Sequence, residues 1–140
     1  QFILRGHTKT VPLIRVPNFG GRKGAARCEI RCPDPAGNPY LQFAVLLSAG
    51  LDGIKNKIDP GEPVELNVYE MSYEERKKRG IVSLPESLKE ALDEMENSKL
   101  MRETLGEVAF ENFLREKRKE WDLYRTQVTE WEVNRYIRRL

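Results

Sequence analysis

The chain has 140 residues, of which 39% are apolar and 33% charged, enough for one compact domain and too few for two comfortable ones. A net charge of +2 hides an asymmetry: residues 1–32 carry seven Lys or Arg against Glu29 as their one acid, a net of +6, and residues 33–140 carry the balancing −4. The longest apolar run, LQFAVLLSAGL, is about half of the roughly 20 residues that a membrane-spanning helix needs, so a membrane span is excluded and the basic front end points to an anionic ligand.

VPLIRVP (11–17) reads as a short strand between prolines, and NFGGRKGA (18–25), with three glycines, as a loop. ARCEIRC (26–32) alternates at period two and reads as a second strand, so an antiparallel hairpin with a basic loop is expected. Cys28 and Cys32 would lie on one strand face about 13 Å apart, beyond disulfide reach. With His7 as the one histidine they make a poor zinc site. Two free thiols favour a reducing, cytoplasmic location.

Asn38 caps the next element, with Pro39 at the first helical position, where a missing N–H costs nothing. The helix, 39–57, is apolar on most sides (Tyr40, Leu41, Phe43, Leu47, Leu51, Ile54), and such a helix is expected to be buried. DPGEP (59–63) ends it. Ser72 and Glu75 form a capping box for a short helix that Gly80 stops. Pro85 and Glu86 open another, to about Glu96, with Leu84, Leu88, Ala91, Leu92 and Met95 on one face. A longer helix, 106–124, carries Val108, Phe110, Phe113, Leu114, Trp121 and Tyr124. Thr129 and Glu132 box the start of the last helix, 130–139, with Val128 and Val133 at staple positions. A helix of about ten residues is marginal alone, so Trp131 and Tyr136 are expected to meet a partner subunit. The fold class is α+β, mainly helical: a two-stranded antiparallel hairpin, a buried helix and a C-terminal set of helices.

Arg27, Glu29 and Arg31 share one face of the second strand, at spacings of about 6.6 Å. The bland explanation is a solvated face whose exposed ion pairs contribute about 0–1 kcal/mol each. The sharper one is a site for phosphate and metal. A carboxylate suits a hard cation such as Mg²⁺, while guanidiniums fork onto anionic oxygens, and Arg15 on the neighbouring strand could add a third cation.

LIRVP (13–17), RCEIRCPDPAGNPYLQFAVLLSAGLDGIKNKIDPGEP (27–63) and EWDLYRTQVTEWEVNRY (120–136) together resemble the C-terminal third of a prokaryotic type I glutamine synthetase. The closing pattern is similar to the subclass found in many archaea and Gram-positive bacteria. The resemblance divides the chain into a divergent lead-in (1–11), a catalytic-barrel segment (12–63) and a C-terminal helical region (64–140). It implies ATP-dependent ligation of ammonia to glutamate through γ-glutamyl phosphate, with Mg²⁺ or Mn²⁺ as cofactor. By resemblance Arg15 and Arg27 contact the ATP phosphates and carry the phosphoryl-transfer chemistry, Arg31 grips glutamate, and Glu29 is a metal ligand.

The chain departs from the family pattern in places. Thr10 stands where the family shows an arginine, and Gly24 where it shows a lysine, a place that Lys23 or Arg22 fills only if the loop shifts. Tyr69 corresponds to a tyrosine that some members adenylylate, but its surroundings are similar to the subclass without that modification, so a packing or surface role is expected. The family's N-terminal domain and most of its metal ligands match nothing here, so the isolated chain is expected to be inactive. Its implied partners are ATP, glutamate and ammonia, and other copies or remaining glutamine synthetase subunits reached through the last helix. The alternative is a non-catalytic assembly or regulatory module that docks on a glutamine synthetase or on itself. Nucleic acid is not expected, because Phe2 and Phe19 are the only aromatic residues of the basic segment.

Overall fold

A computed structural model of the protein describes residues 13–17, 21, 27–61 and 68–137. Two short strands and six α-helices are found among the described residues, in agreement with the α+β, mainly helical class. The chain divides into two compact units, Gln1–Leu84 and Pro85–Leu140.

In the first unit β1 (Ile14–Arg15) pairs antiparallel with β2 (Glu29–Ile30), with Ile14 opposite Ile30 and Arg15 opposite Glu29. The Arg31 N–H extends the ladder to the Leu13 carbonyl at 2.9 Å. A turn built on Asp34 follows. Its carboxylate accepts from the Ala36 N–H at 2.8 Å, and its carbonyl accepts from the Gly37 N–H at 3.0 Å and from the Gln42 side-chain amide at 2.7 Å. A Cβ at Gly37 would displace that amide, so glycine suits the closure by Gln42.

The turn delivers α1 (Pro39–Lys55), capped by the Asn38 side chain, which accepts from the Tyr40 N–H at 2.9 Å. The helix stops two residues before the expected 57 because Lys57 takes a left-handed conformation, φ 49°. The expected burial of this helix is corrected by the structure: no residue of α1 is buried. Local signals form the helix, and nothing among the described residues closes over its outer face.

A single 3₁₀ turn, Val68–Glu70, holds Tyr69, whose side chain lies outside the described residues. In α2 (Tyr73–Lys78) the Ser72–Glu75 capping box is present. Gly80, at φ 66°, ends it, with the Ile81 N–H returning to the Arg76 carbonyl at 2.9 Å and the Gly80 N–H to Lys77 at 3.0 Å. That paired 6→1 and 5→2 closure is the Schellman arrangement.

The second unit closes on itself. α3 (Leu88–Glu96), α4 (Lys99–Leu105) and α5 (Glu107–Arg125) surround a core of Leu92, Met95, Phe110 and Leu114, with Leu88, Met101, Leu105 and Phe113 packed against it. Ala91, expected on the inner face of α3, is exposed. α4 has no counterpart in the sequence reading, since seven residues span too few turns to show a period. Two arginines tie the helices together. Arg102 of α4 donates to Glu107 and Glu111 of α5, each at 2.6 Å, and lies over the Phe110 ring at 4.2 Å. Arg118 of α5 donates to Asp93 and Glu96 of α3. The last helix, α6 (Glu130–Tyr136), starts at the Thr129–Glu132 capping box, and Trp131 and Tyr136 meet edge to face at 6.1 Å.

Candidate functional site

The cross-strand register decides the site. Residues directly opposite in an antiparallel pair present their side chains to the same face, so Arg15 on β1 meets Glu29 on β2. Period two along β2 then brings Arg27 and Arg31 to either side of the same carboxylate.

The Arg15 Nη1 donates to both Glu29 oxygens, at 3.0 Å to Oε2 and 3.2 Å to Oε1. Arg31 Nη2 donates to Oε2 at 3.4 Å, and Arg27 Nη2 stands 3.8 Å from Oε1, an ion pair too long for a hydrogen bond. All four residues predicted from the sequence are therefore brought together, with Arg15 and Glu29 half-buried and Arg27 and Arg31 exposed. The Arg15 hydrogen bond holds the Glu29 carboxyl below the usual carboxylate range, partial burial opposes that, and Arg31 adds to it. Three permanent cations around one anion leave an excess of two positive charges. Each guanidinium has five N–H donors, and Glu29 occupies one nitrogen of each arginine. The carboxylate thus works as a spacer that holds three forked cations side by side, a surface suited to the oxygens of phosphates or carboxylates.

A divalent metal fits this set poorly. Glu29 is the one carboxylate of the cluster, and both its oxygens already face guanidinium nitrogens. Among the described residues no group of three or more His, Cys, Asp or Glu side chains could hold an ion. The two thiols are both free and exposed. Thr10, Arg22, Lys23 and Gly24, singled out as departures or substitutes, lie outside the described residues. The part that sequence reasoning missed is the Asp34 turn with Gln42 closing it, which fixes how β2 runs into α1. Asp-Pro is its signal, and the side-chain closure from eight residues on has none. No helix of the described residues is long and apolar enough to cross a membrane.

Comparison with known proteins supplies what the geometry cannot. Residues 4–136 match the family model for the catalytic domain of glutamine synthetase, so the match begins inside the segment read as a divergent lead-in. The chain is 55% identical over 125 residues to a glutamine synthetase of Methanosarcina mazei, covering 89% of this chain and 28% of that protein. It is 51% identical over 148 aligned positions to one of Pyrococcus furiosus, covering 97% of this chain and 33% of the relative. A solved structure described as apo GmaS without ligand superimposes with a TM-score of 0.73 at 33% identity, over 97% of this chain and 30% of that one. The chain therefore spans about a third or less of the length of the proteins it matches. Nearly its whole length falls within one family model, and the strand face, turn and capped helix lie inside that match: the chain belongs to the glutamine synthetase catalytic-domain family.

Proposed function

We propose that this chain is a C-terminal segment of a glutamine synthetase catalytic domain and contributes one edge of its nucleotide and glutamate site. The observation that carries the reading is the Arg15–Glu29 cross-strand pair flanked by Arg27 and Arg31. In the reaction, the glutamate side-chain carboxylate attacks the γ-phosphorus of ATP and ADP leaves. Ammonia then attacks the γ-carbonyl of the acyl phosphate and expels phosphate. Arg15 and Arg27 neutralise phosphate oxygens as the phosphoryl group moves, and Arg31 holds the glutamate substrate. Glu29 orders the arginines, and with both its oxygens facing guanidiniums the described residues do not by themselves hold the Mg²⁺ or Mn²⁺ that the family implies. One carboxylate cannot complete such a site, so the isolated chain does not turn over. The exposed thiols suit a reducing cytoplasm.

The exposed terminal helix supports an assembly role alongside the chemical one. Trp131 and Tyr136 remain 65% and 56% accessible, and an apolar pair so open fits contact with another subunit.

The test is co-expression with the remaining portion of the Pyrococcus furiosus glutamine synthetase, followed by an assay of ATP-dependent glutamine formation. Activity that requires both pieces is expected. Arg31→Ala should raise the KM for glutamate, and Arg15→Ala the KM for ATP. A folded, associated pair without activity would overturn the reading.

A further inference from the structure

We propose that Gln42 is a positioning residue for Arg31, matched to the missing side chain of Gly37: its amide clamps the turn after β2 to α1 and so sets the direction from which the Arg31 guanidinium meets a substrate carboxylate. The proposal rests on the reading of Arg31 as the glutamate contact and adds how this chain aims it.

Arg31 is held loosely at its tip. Among the described residues Glu29 is its one side-chain partner, at 3.4 Å, against 3.0 Å for the Arg15–Glu29 bond. Its aim therefore depends on the backbone beneath it. The Arg31 N–H to the Leu13 carbonyl, at 2.9 Å, is the last rung of the hairpin among the described residues. Beyond it the chain runs Cys32-Pro33-Asp34-Pro35, in which each proline fixes its own φ and pushes the residue before it into extended backbone. So short and stiff a link passes the placement of Asp34 back to Arg31.

Three donors pin Asp34. Two of them, the Ala36 N–H on its carboxylate at 2.8 Å and the Gly37 N–H on its carbonyl at 3.0 Å, stay within the turn. The third comes from the first turn of α1, where Gln42 Nε2 donates to the same carbonyl at 2.7 Å and joins the turn to the helix body. Gly37 makes room for that bond. Its φ is not in the left-handed region, unlike those of Gly61 and Gly80, so backbone conformation does not call for a glycine. The clamp does, because a Cβ there would stand on the Gln42 amide nitrogen and 3.1 Å from the Asp34 oxygen. Glycine at 37 and a long amide at 42 thus account for each other.

The experiment compares Gln42→Met, Gly37→Ala and the double variant with the parent, first as the full chain by amide hydrogen exchange. The same variants are then co-expressed with the remaining portion of the Pyrococcus furiosus enzyme. In the chain alone the Arg31 and Gly37 amides should exchange roughly three- to tenfold faster in either single variant, the range set by one net hydrogen bond. The amides of residues 45–50, in the middle of α1, should be unchanged. In the co-expressed pair the KM for glutamate should rise by a similar factor, roughly three- to tenfold, while kcat and the KM for ATP stay at the parental values, because Arg15 and Arg27 precede the clamp. The double variant should be no worse than either single one, since both substitutions remove the same bond. The proposal is overturned if Gln42→Met leaves Arg31 exchange or the KM for glutamate unchanged, if the KM for ATP rises equally, or if the two substitutions add. Faster Arg31 exchange in the variants, with no glutamine formed even by the parent pair, would instead overturn the proposed function and leave the clamp on Arg31 standing.

Discussion

Phe43 and Phe110 are the same side chain on the same kind of element, and they meet opposite fates: Phe43 is 70% accessible on α1, while Phe110 is fully buried on α5. The difference is one of chain distance. α3, α4 and α5 follow one another with links of only a residue or two, so each helix finds its apolar complement close by in sequence, and closing such short loops costs little entropy. α1 is the more apolar helix by composition, yet nothing among the described residues covers its outer stripe. Hydrophobic patterning states that a face must be covered. It does not state by what.

The comparison can be broken at its buried end first. Phe110→Ala should destabilise the second unit by about 3–5 kcal/mol, through lost burial and the cavity left among Leu92, Met95 and Leu114. Urea unfolding followed by circular dichroism measures this, and a cost below 1 kcal/mol would mean that the core is not the closed one described. A smaller effect is expected at the last helix, where Thr129→Ala removes the acceptor for the Glu132 N–H and should cost about 1 kcal/mol of helix stability. Far-ultraviolet circular dichroism of the variant should show the loss of α6 without a change in the core transition.

Acid should weaken both units. Glu29 is held below its ordinary value of 4.5, first by Arg15, and Asp93 below its ordinary 3.8, first by Lys89 and then by Arg118. Such groups bind protons less readily folded than unfolded. Their stabilisation is complete above those ordinary values and drains away as the pH falls below them. The melting temperature should therefore be flat from pH 7 to about 5 and decline below 4. A flat profile down to pH 3 would remove these ion pairs from the account of stability. The smallest effect belongs to the open end of the comparison: Phe43→Ala should change the stability of the free chain by no more than about 0.5 kcal/mol, as for other exposed positions. A large loss would show that α1 is covered within this chain after all.

Much of the candidate site was legible because it is written locally. Period two over residues 27–31 places Arg27, Glu29 and Arg31 on one face, and the structure joins them. Arg15 was legible as a neighbour, but its position directly opposite Glu29 depends on hairpin register, which neither strand encodes alone. The caps at Asn38, Ser72 and Thr129 read correctly because a side-chain oxygen and an N–H two or three residues away make a self-contained signal. α4 was missed because it lasts only seven residues. Burial of α1 was overcalled because an apolar helix records a requirement of the complete fold, whereas exposure depends on which other segments are present.

Sequence by itself thus determined the helix starts and stops, the strand alternation and the charge imbalance of the front end, all products of interactions within a few residues. Tertiary structure alone decided that Arg15 faces Glu29, that Arg102 and Arg118 bind three helices into a core, and that no described residue closes over the apolar stripe of α1. Those outcomes need segments far apart in the chain to meet, and free energy of that kind is stored in packing between elements, where no local pattern records it.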